Sequence, residues 1–114
     1  MTRVYKILSR SAWDVAVRAG VFAGSPVDLA DGYIHFSTAA QAQETAARHF
    51  AGQTGLVLAA FESAALGEAL RWEPSRGGDL FPHLYGLLDP ALAVEVRDLA
   101  LGHDDIPQLG VCLP

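Results

Sequence analysis

Residues 33–50 read YIHFSTAAQAQETAARHF, and this stretch decides the fold. Side chains of a strand point alternately to opposite faces, so in YIHFS Ile34 and Phe36 share one face while Tyr33, His35 and Ser37 share the other. From Thr38 the period changes. Ala39, Ala42, Ala46 and Phe50 recur at helical spacing as an apolar stripe, which predicts a helix over 38–50. Thr38 and Gln41 have capping-box spacing, and Glu44 precedes Arg48 by four residues in the favourable orientation. The alanines let such a helix lie close to a sheet. GLVLAAF (55–61) supplies one, a continuous apolar run of the kind a strand covered on both faces carries.

Working outward, RVYKILS (3–9) alternates as a short strand of mixed character, and SAWDVAVRAG (11–20) reads as a helix with Ser11 as N-cap, Asp14 at its third position and Gly20 at its end. Residues 21–32 are rich in breakers and read as a turn-rich connection. A helical turn is expected at 63–66 and a strand over 69–73, ended by Pro74, which forces Glu73 into an extended conformation. LFPHLYG (80–86) is strand-like, with Pro82 demanding an edge or a bulge. LAVEVRDLAL (92–101) alternates as a strand with one wet face, and residues 102–114 are expected to form a surface arm. The order β-α-β-α-β-β-β-β defines an α+β chain with two main helices and a mixed or antiparallel sheet.

The 114 residues suffice for one core and are expected to form one domain over 1–114. Half the residues are hydrophobic (51%) against 18% charged, the balance of a globular chain. A net charge of −5 with eight scattered Lys and Arg is the wrong sign for a domain that wraps duplex nucleic acid. No apolar run reaches the roughly 20 residues of a membrane span, and MTRVYKILSR lacks the apolar segment of a signal peptide, so the cytoplasm is the expected compartment. The single cysteine, Cys112, rules out a disulfide framework or thiolate cluster and is expected to be inert.

The polar residues on these strands are the candidate site. His35 stands beside Tyr33 where a strand ends and a helix opens, and the hydroxyls of Ser37 and Thr38 converge with the first free N–H groups of that helix, a ready anion site. Those hydroxyls also serve as ordinary helix caps. Arg48 shares a helix face with Gln41 and Thr45. Arg71 and Glu73 project to one side of their strand, with Trp72 between them, and arginine is the cation whose planar fork reads phosphate. Phe81, His83 and Tyr85 share one face if extended, either as core or as a wall for a flat ring. His35 and His83 with Asp31 or Glu73 would make a two-histidine, one-carboxylate metal set. No HxH or HExxH spacing supports it, so no metal is expected. GxGxxG, Walker, GxSxG and CxxC motifs are absent.

DGYIHFSTAAQAQETAARHFAG, LRWEP and FPHLYG together resemble the bacterial domain-of-unknown-function family 952 over the whole chain. That resemblance implies an ADP-ribosylation-like fold. GYIHFST and the apolar strand after it look like the strand–helix–strand segment of NAD-dependent RNA 2′-phosphotransferases, in which a histidine-containing strand precedes a helix ending in arginine. On that likeness His35 falls on the second histidine of the strand, Ser37 and Thr38 on its hydroxyl pair, and Arg48 on the arginine that ends the helix. In ADP-ribosyl polymerases the nicotinamide-stacking tyrosine occupies the position of His35.

The chain departs from those enzymes in its first strand, where Tyr5 and Lys6 stand in place of the histidine or arginine that holds ribose. Glu73 is the carboxylate available for a catalytic glutamate, and no arginine-rich RNA-binding portion is present. The resemblance therefore implies a pocket for a phosphorylated nucleotide or NAD-like ligand. Lys6, His35 and Glu73 would be its catalytic set, with Tyr33, Ser37, Thr38, Arg48, Arg71, Trp72, Phe81, His83 and Tyr85 as binding residues and NAD as the cofactor the likeness allows. The competing expectation is a non-catalytic ligand-binding or protein-interaction module that kept the fold and lost the chemistry.

Overall fold

In the structure, a computed structural model, residues 2–102 and 104–109 are described. β1 (Arg3–Ser9) and β3 (Leu56–Glu62) pair antiparallel, Arg3 opposite Glu62 and Ser9 opposite Leu56. β6 (Glu95–Leu101) continues the sheet beyond β3 and carries the two-residue β7 (Pro107–Gln108) at its far edge. A second sheet has the order β2-β5-β4, from β2 (Ile34–His35), β5 (Leu80–Leu84) and β4 (Leu70–Pro74). Every named pairing is antiparallel. The two sheets meet at Tyr5 and Ser37, each donating its N–H to the other's carbonyl at 2.8 and 2.9 Å. Strand pairing thus continues from one sheet into the other, and the molecule is an α+β domain with a curled antiparallel sheet and few helices.

Alternation along each strand divides the apolar side chains into two cores. Val4, Leu8, Ala59 and Phe61 on one face of the larger sheet meet Ile34, Phe36, Leu70 and Leu84 of the smaller sheet, together with Trp13 of α1 (Arg10–Ala19). The rings of Trp13 and Phe36 both approach Phe61 edge-on, at centroid distances of 6.3 and 5.8 Å, the geometry that ring quadrupoles favour. On the opposite face Tyr5, Ile7, Leu58 and Ala60 pack under α3 (Ala39–His49). Ala42 and Ala46 of this helix are completely buried, so only methyl groups separate it from the sheet. Ile34 and Phe36 enter the core as their spacing demands, which leaves His35 on the outer face.

Four local expectations are corrected. Strand β1 runs directly into α1, so Ser9 and not Ser11 is the N-cap, its hydroxyl accepting the Ala12 N–H at 3.1 Å. Residues 21–32 hold a helix, α2 (Pro26–Asp31), between Ser25 and Gly32, the latter in the left-handed conformation at φ 89°. Strand β6 starts at Glu95, because Asp89 caps a 3₁₀ turn over Pro90–Leu92. The segment expected as a surface arm is tied into the fold as far as Leu109. Pro107 and Gln108 pair with β6, and Leu109 is buried in the α3-side core; Cys112 and the rest of that segment lie outside the described residues. The helical turn at 63–66 is present as α4 (Ser63–Leu66). Among the described residues no helix is long and apolar enough to cross a membrane.

The close approach of α3 makes a direct prediction. Ala46→Leu forces three extra carbons into a site with no free surface and should destabilise by about 1–3 kcal/mol, seen as a fall of several degrees in Tm. Arg48→Leu, on the exposed side of the same helix, should leave Tm nearly unchanged.

Candidate functional site

The site is built around Asp28, which sequence reasoning did not single out. Ser25 begins α2 with proline at the first helical position, and Asp28 three residues later turns its carboxylate back onto the Ser25 N–H at 2.9 Å through Oδ2. Half of a capping box is thereby satisfied. The same oxygen accepts from Lys6 Nζ at 2.9 Å. Oδ1 accepts from Lys6 Nζ at 3.1 Å, from the His35 backbone N–H at 3.1 Å and from His35 Nδ1 at 2.6 Å. Asp28 is 1% exposed and Lys6 6%, so a full ion pair lies inside the protein. Strand alternation explains the lysine: Lys6 shares its face with Val4 and Leu8 and reaches through the core toward the outer edge of β2.

These contacts set the electrostatics. Burial alone would raise the Asp28 pKa, but the His35 hydrogen bond, the charge and hydrogen bond of Lys6 and the Ser25 N–H together hold it well below the ordinary 3.8. Burial pulls Lys6 below its ordinary 10.5, with Asp28 opposing the shift. On the other side of the His35 ring, Nε2 stands 2.9 Å from Asp31 Oδ2. Each nitrogen of this ring therefore faces a carboxylate.

The outer face of the smaller sheet carries the remaining groups. His35 lies directly opposite His83 on β5, and His83 opposite Arg71 on β4. His83 is buried, and its Nδ1 lies 2.8 Å from Glu73 Oε1, which also accepts from the Tyr85 hydroxyl at 2.7 Å. These two hydrogen bonds, that of His83 first, hold the Glu73 carboxyl below its usual value, and the bond from Tyr85 to Glu73 raises the Tyr85 phenol. Tyr33 stacks on His83 at 4.1 Å and 29°, and its ring also meets those of His35 and Tyr85 at 4.6 and 5.2 Å. Arg71 lays its guanidinium 4.9 Å above the Tyr85 ring, a cation–π contact. Beside Tyr33 and Asp28 lies a depression of about 260 Å³ walled by Leu29, Gly32, Gly86 and Leu87.

The candidates divide accordingly. Tyr33, His35, Arg71, Glu73, His83 and Tyr85 are gathered on one face, with Lys6 joined to them through Asp28. Lys6 itself is buried and does not open onto that face. Ser37 and Thr38 do not form a free anion site. The Ser37 hydroxyl is buried and bonded to Thr45 Oγ1 at 2.9 Å, while Thr38 and Gln41 complete a capping box that uses the first N–H groups of α3. Arg48 sits in the last turn of that helix, exposed, its Nε 3.8 Å from Glu44. Ten residues of helical rise place it some 15 Å along the axis from Thr38. Phe81 is buried, and Trp72 lies on the opposite side of β4 from Arg71 and Glu73, partly exposed. Among the described residues no three His, Cys, Asp or Glu side chains are grouped so as to hold a metal ion.

Fold and site together define a small α+β domain whose smaller sheet presents a histidine–tyrosine cluster braced by hydrogen bonds to the carboxylates of Asp28, Asp31 and Glu73. The family described as "Protein of unknown function (DUF952)" matches residues 7–96, and the chain belongs to it. The crystal structure of protein CC0527 from Caulobacter crescentus is similar, with 56% identity, 95% of each chain covered and a TM-score of 0.93. The solution NMR structure of CC0527 is 57% identical over 96% of this chain and 95% of that chain, with a TM-score of 0.87. Among curated proteins none matches.

Asp28→Asn tests the centre of this network. It leaves Lys6 buried without its counter-charge, and the expected loss near neutral pH is about 3–5 kcal/mol. The sign with pH follows from the depressed carboxyl. Its stabilisation is complete above the unfolded value of 3.8 and is lost as pH falls through the folded value. Urea unfolding near pH 7 and near pH 3 should therefore show the gap between wild type and Asp28→Asn narrowing in acid.

Proposed function

We propose that the outer face of the smaller sheet binds a phosphorylated nucleotide or NAD-like ligand, and that the domain has an ADP-ribosylation-like fold. The observation that carries this reading is the gathering of Tyr33, His35, His83, Tyr85 and Arg71, on the three strands of the smaller sheet and immediately beside them, onto one surface. Polar aromatic rings offer a flat planar group a stacking surface, and an adjacent guanidinium offers its phosphate a bidentate donor. Arg71 takes the phosphate role here, because the α3 N-terminus is occupied by its own cap. The depression beside Tyr33 is smaller than the roughly 300–1,000 Å³ of most small-ligand pockets, so it suits one ring of the ligand and not a whole dinucleotide.

A second reading, a binding module without transfer chemistry, draws on two contacts. Lys6, which stands where the enzymes that the sequence resembles hold ribose from the first strand, is bonded to Asp28. Glu73, the available carboxylate, is bonded to His83 and Tyr85. If transfer does occur, it proceeds by charge stabilisation from positioned polar groups.

Thermal denaturation with ADP-ribose and NAD tests the binding. Ligand at a hundred times its Kd stabilises by roughly 2.7 kcal/mol, a rise of roughly ten degrees in Tm for a domain near this size. Arg71→Ala and Tyr85→Ala should reduce the rise, and Arg48→Ala should leave it intact. Absence of any rise with either compound would contradict the reading. Release of nicotinamide from NAD separates the transferase from the binding module.

A further inference from the structure

The two paired histidines are held in different ways. His35 has a carboxylate oxygen at each ring nitrogen, Asp28 at Nδ1 and Asp31 at Nε2. His83 has one at Nδ1 only, the Glu73 oxygen at 2.8 Å. Its Nε2 has no hydrogen-bond partner among the described residues, and the side chain as a whole is 4% exposed. An ionised carboxylate only accepts hydrogen bonds, so the proton of the neutral ring belongs on Nδ1 and the lone pair on Nε2. Tyr85 donates to the same Glu73 oxygen, and Tyr33 stacks on the ring. Position and tautomer are therefore both fixed by neighbours.

We propose that His83 Nε2 is a proton-accepting site for a hydroxyl of the bound ligand, with Glu73 as its positioning residue. This rests on the reading of the face as a nucleotide-like binding surface and names the contact made there. The hydroxyl donates to Nε2. Where the proton transfers fully, the O–H bond breaks, an N–H bond forms and the electron pair stays on oxygen, leaving a nucleophilic oxyanion. The positive charge that forms on the ring lies against Glu73, the arrangement by which a carboxylate stabilises a basic imidazole. His35 cannot take this role, since both its nitrogens are engaged.

The test is ¹⁵N-detected NMR of the histidine rings at about pH 8, above the ordinary imidazole range, read alone and with ADP-ribose. The expected result is an Nδ1–H tautomer for His83 in the free protein, lost in Glu73→Ala, and a shift of the Nε2 resonance when ADP-ribose is added, while His49 on α3 does not move. Affinity gives a second readout. His83→Phe keeps the ring contact with Tyr33 but removes the acceptor and should weaken ADP-ribose about tenfold, the worth of one good hydrogen bond. His83→Gln, which keeps an acceptor near Nε2, should recover most of that loss. An Nε2–H tautomer in the free protein overturns the proposal whatever the ligand does, and so does ADP-ribose binding that leaves Nε2 unmoved. Failure of ADP-ribose to bind, with the Nδ1–H tautomer present, overturns instead the nucleotide-like reading and with it the contact proposed here.

Discussion

A carboxylate and an ammonium buried together in a small domain are stable only when the lone pairs and protons on both sides find partners, because desolvating each ion costs several kcal/mol. Asp28 meets that condition with two donors from Lys6 and His35 side chains and two from backbone N–H groups. The four donors come from the centre of β1, the first turn of α2 and the backbone and ring of β2. Two of these elements are short. Strand β2 has two residues and α2 six. A two-residue strand at a sheet edge has little to hold it beyond its partner on β5, and Asp28 supplies its other side by accepting the His35 N–H.

This arrangement connects the interior to the outer face. Ile34 is anchored in the core, and the Tyr5–Ser37 bridge fixes the chain just beyond. Between them His35 is clamped by Asp28, so the ring stands at a set position opposite His83. Tyr33 then lies against both imidazoles, Tyr85 meets the Tyr33 ring, and Glu73 ties His83 and Tyr85 together. The aromatic face is thus ordered by hydrogen bonds to carboxylates, two of them on neighbouring strands and turns, more than by apolar packing. Replacing such a network with well-packed hydrophobic residues is often neutral or stabilising.

Much of this was legible in the sequence. Alternation in YIHFS separated Ile34 and Phe36 from Tyr33 and His35, and the same rule placed Phe81, His83 and Tyr85, and Arg71 with Glu73, on common faces. The alanine stripe and the Thr38–Gln41 box marked α3 and the depth at which it packs. Asp28 was hidden because the breakers Gly24, Pro26 and Gly32 dominate a segment whose helix is too short for a hydrophobic period to show. The one available signal was Ser25-Pro26-x-Asp28, a serine cap, a proline at the first position and a carboxylate at the third. Arg48 was misplaced for another reason: a helix face gives direction but not distance, and the N–H groups that were to attract an anion serve the cap. The pairing of Pro107 and Gln108 depends on a two-residue contact with β6, which no periodicity records.

The central claim is that Asp28 couples Lys6 in the core to His35 on the surface. A double-mutant cycle measures this directly, since Lys6 and His35 each bond to Asp28 and share no hydrogen bond with each other. Unfolding free energies are needed for wild type, Lys6→Met, His35→Ala and the double variant. With either partner gone, the buried carboxylate depends more heavily on the other. The double variant should therefore be less stable than the sum of the single losses by about 1 kcal/mol or more, within the range found for residues in one network. Losses that add to within about 0.5 kcal/mol, as for independent sites, would contradict the account.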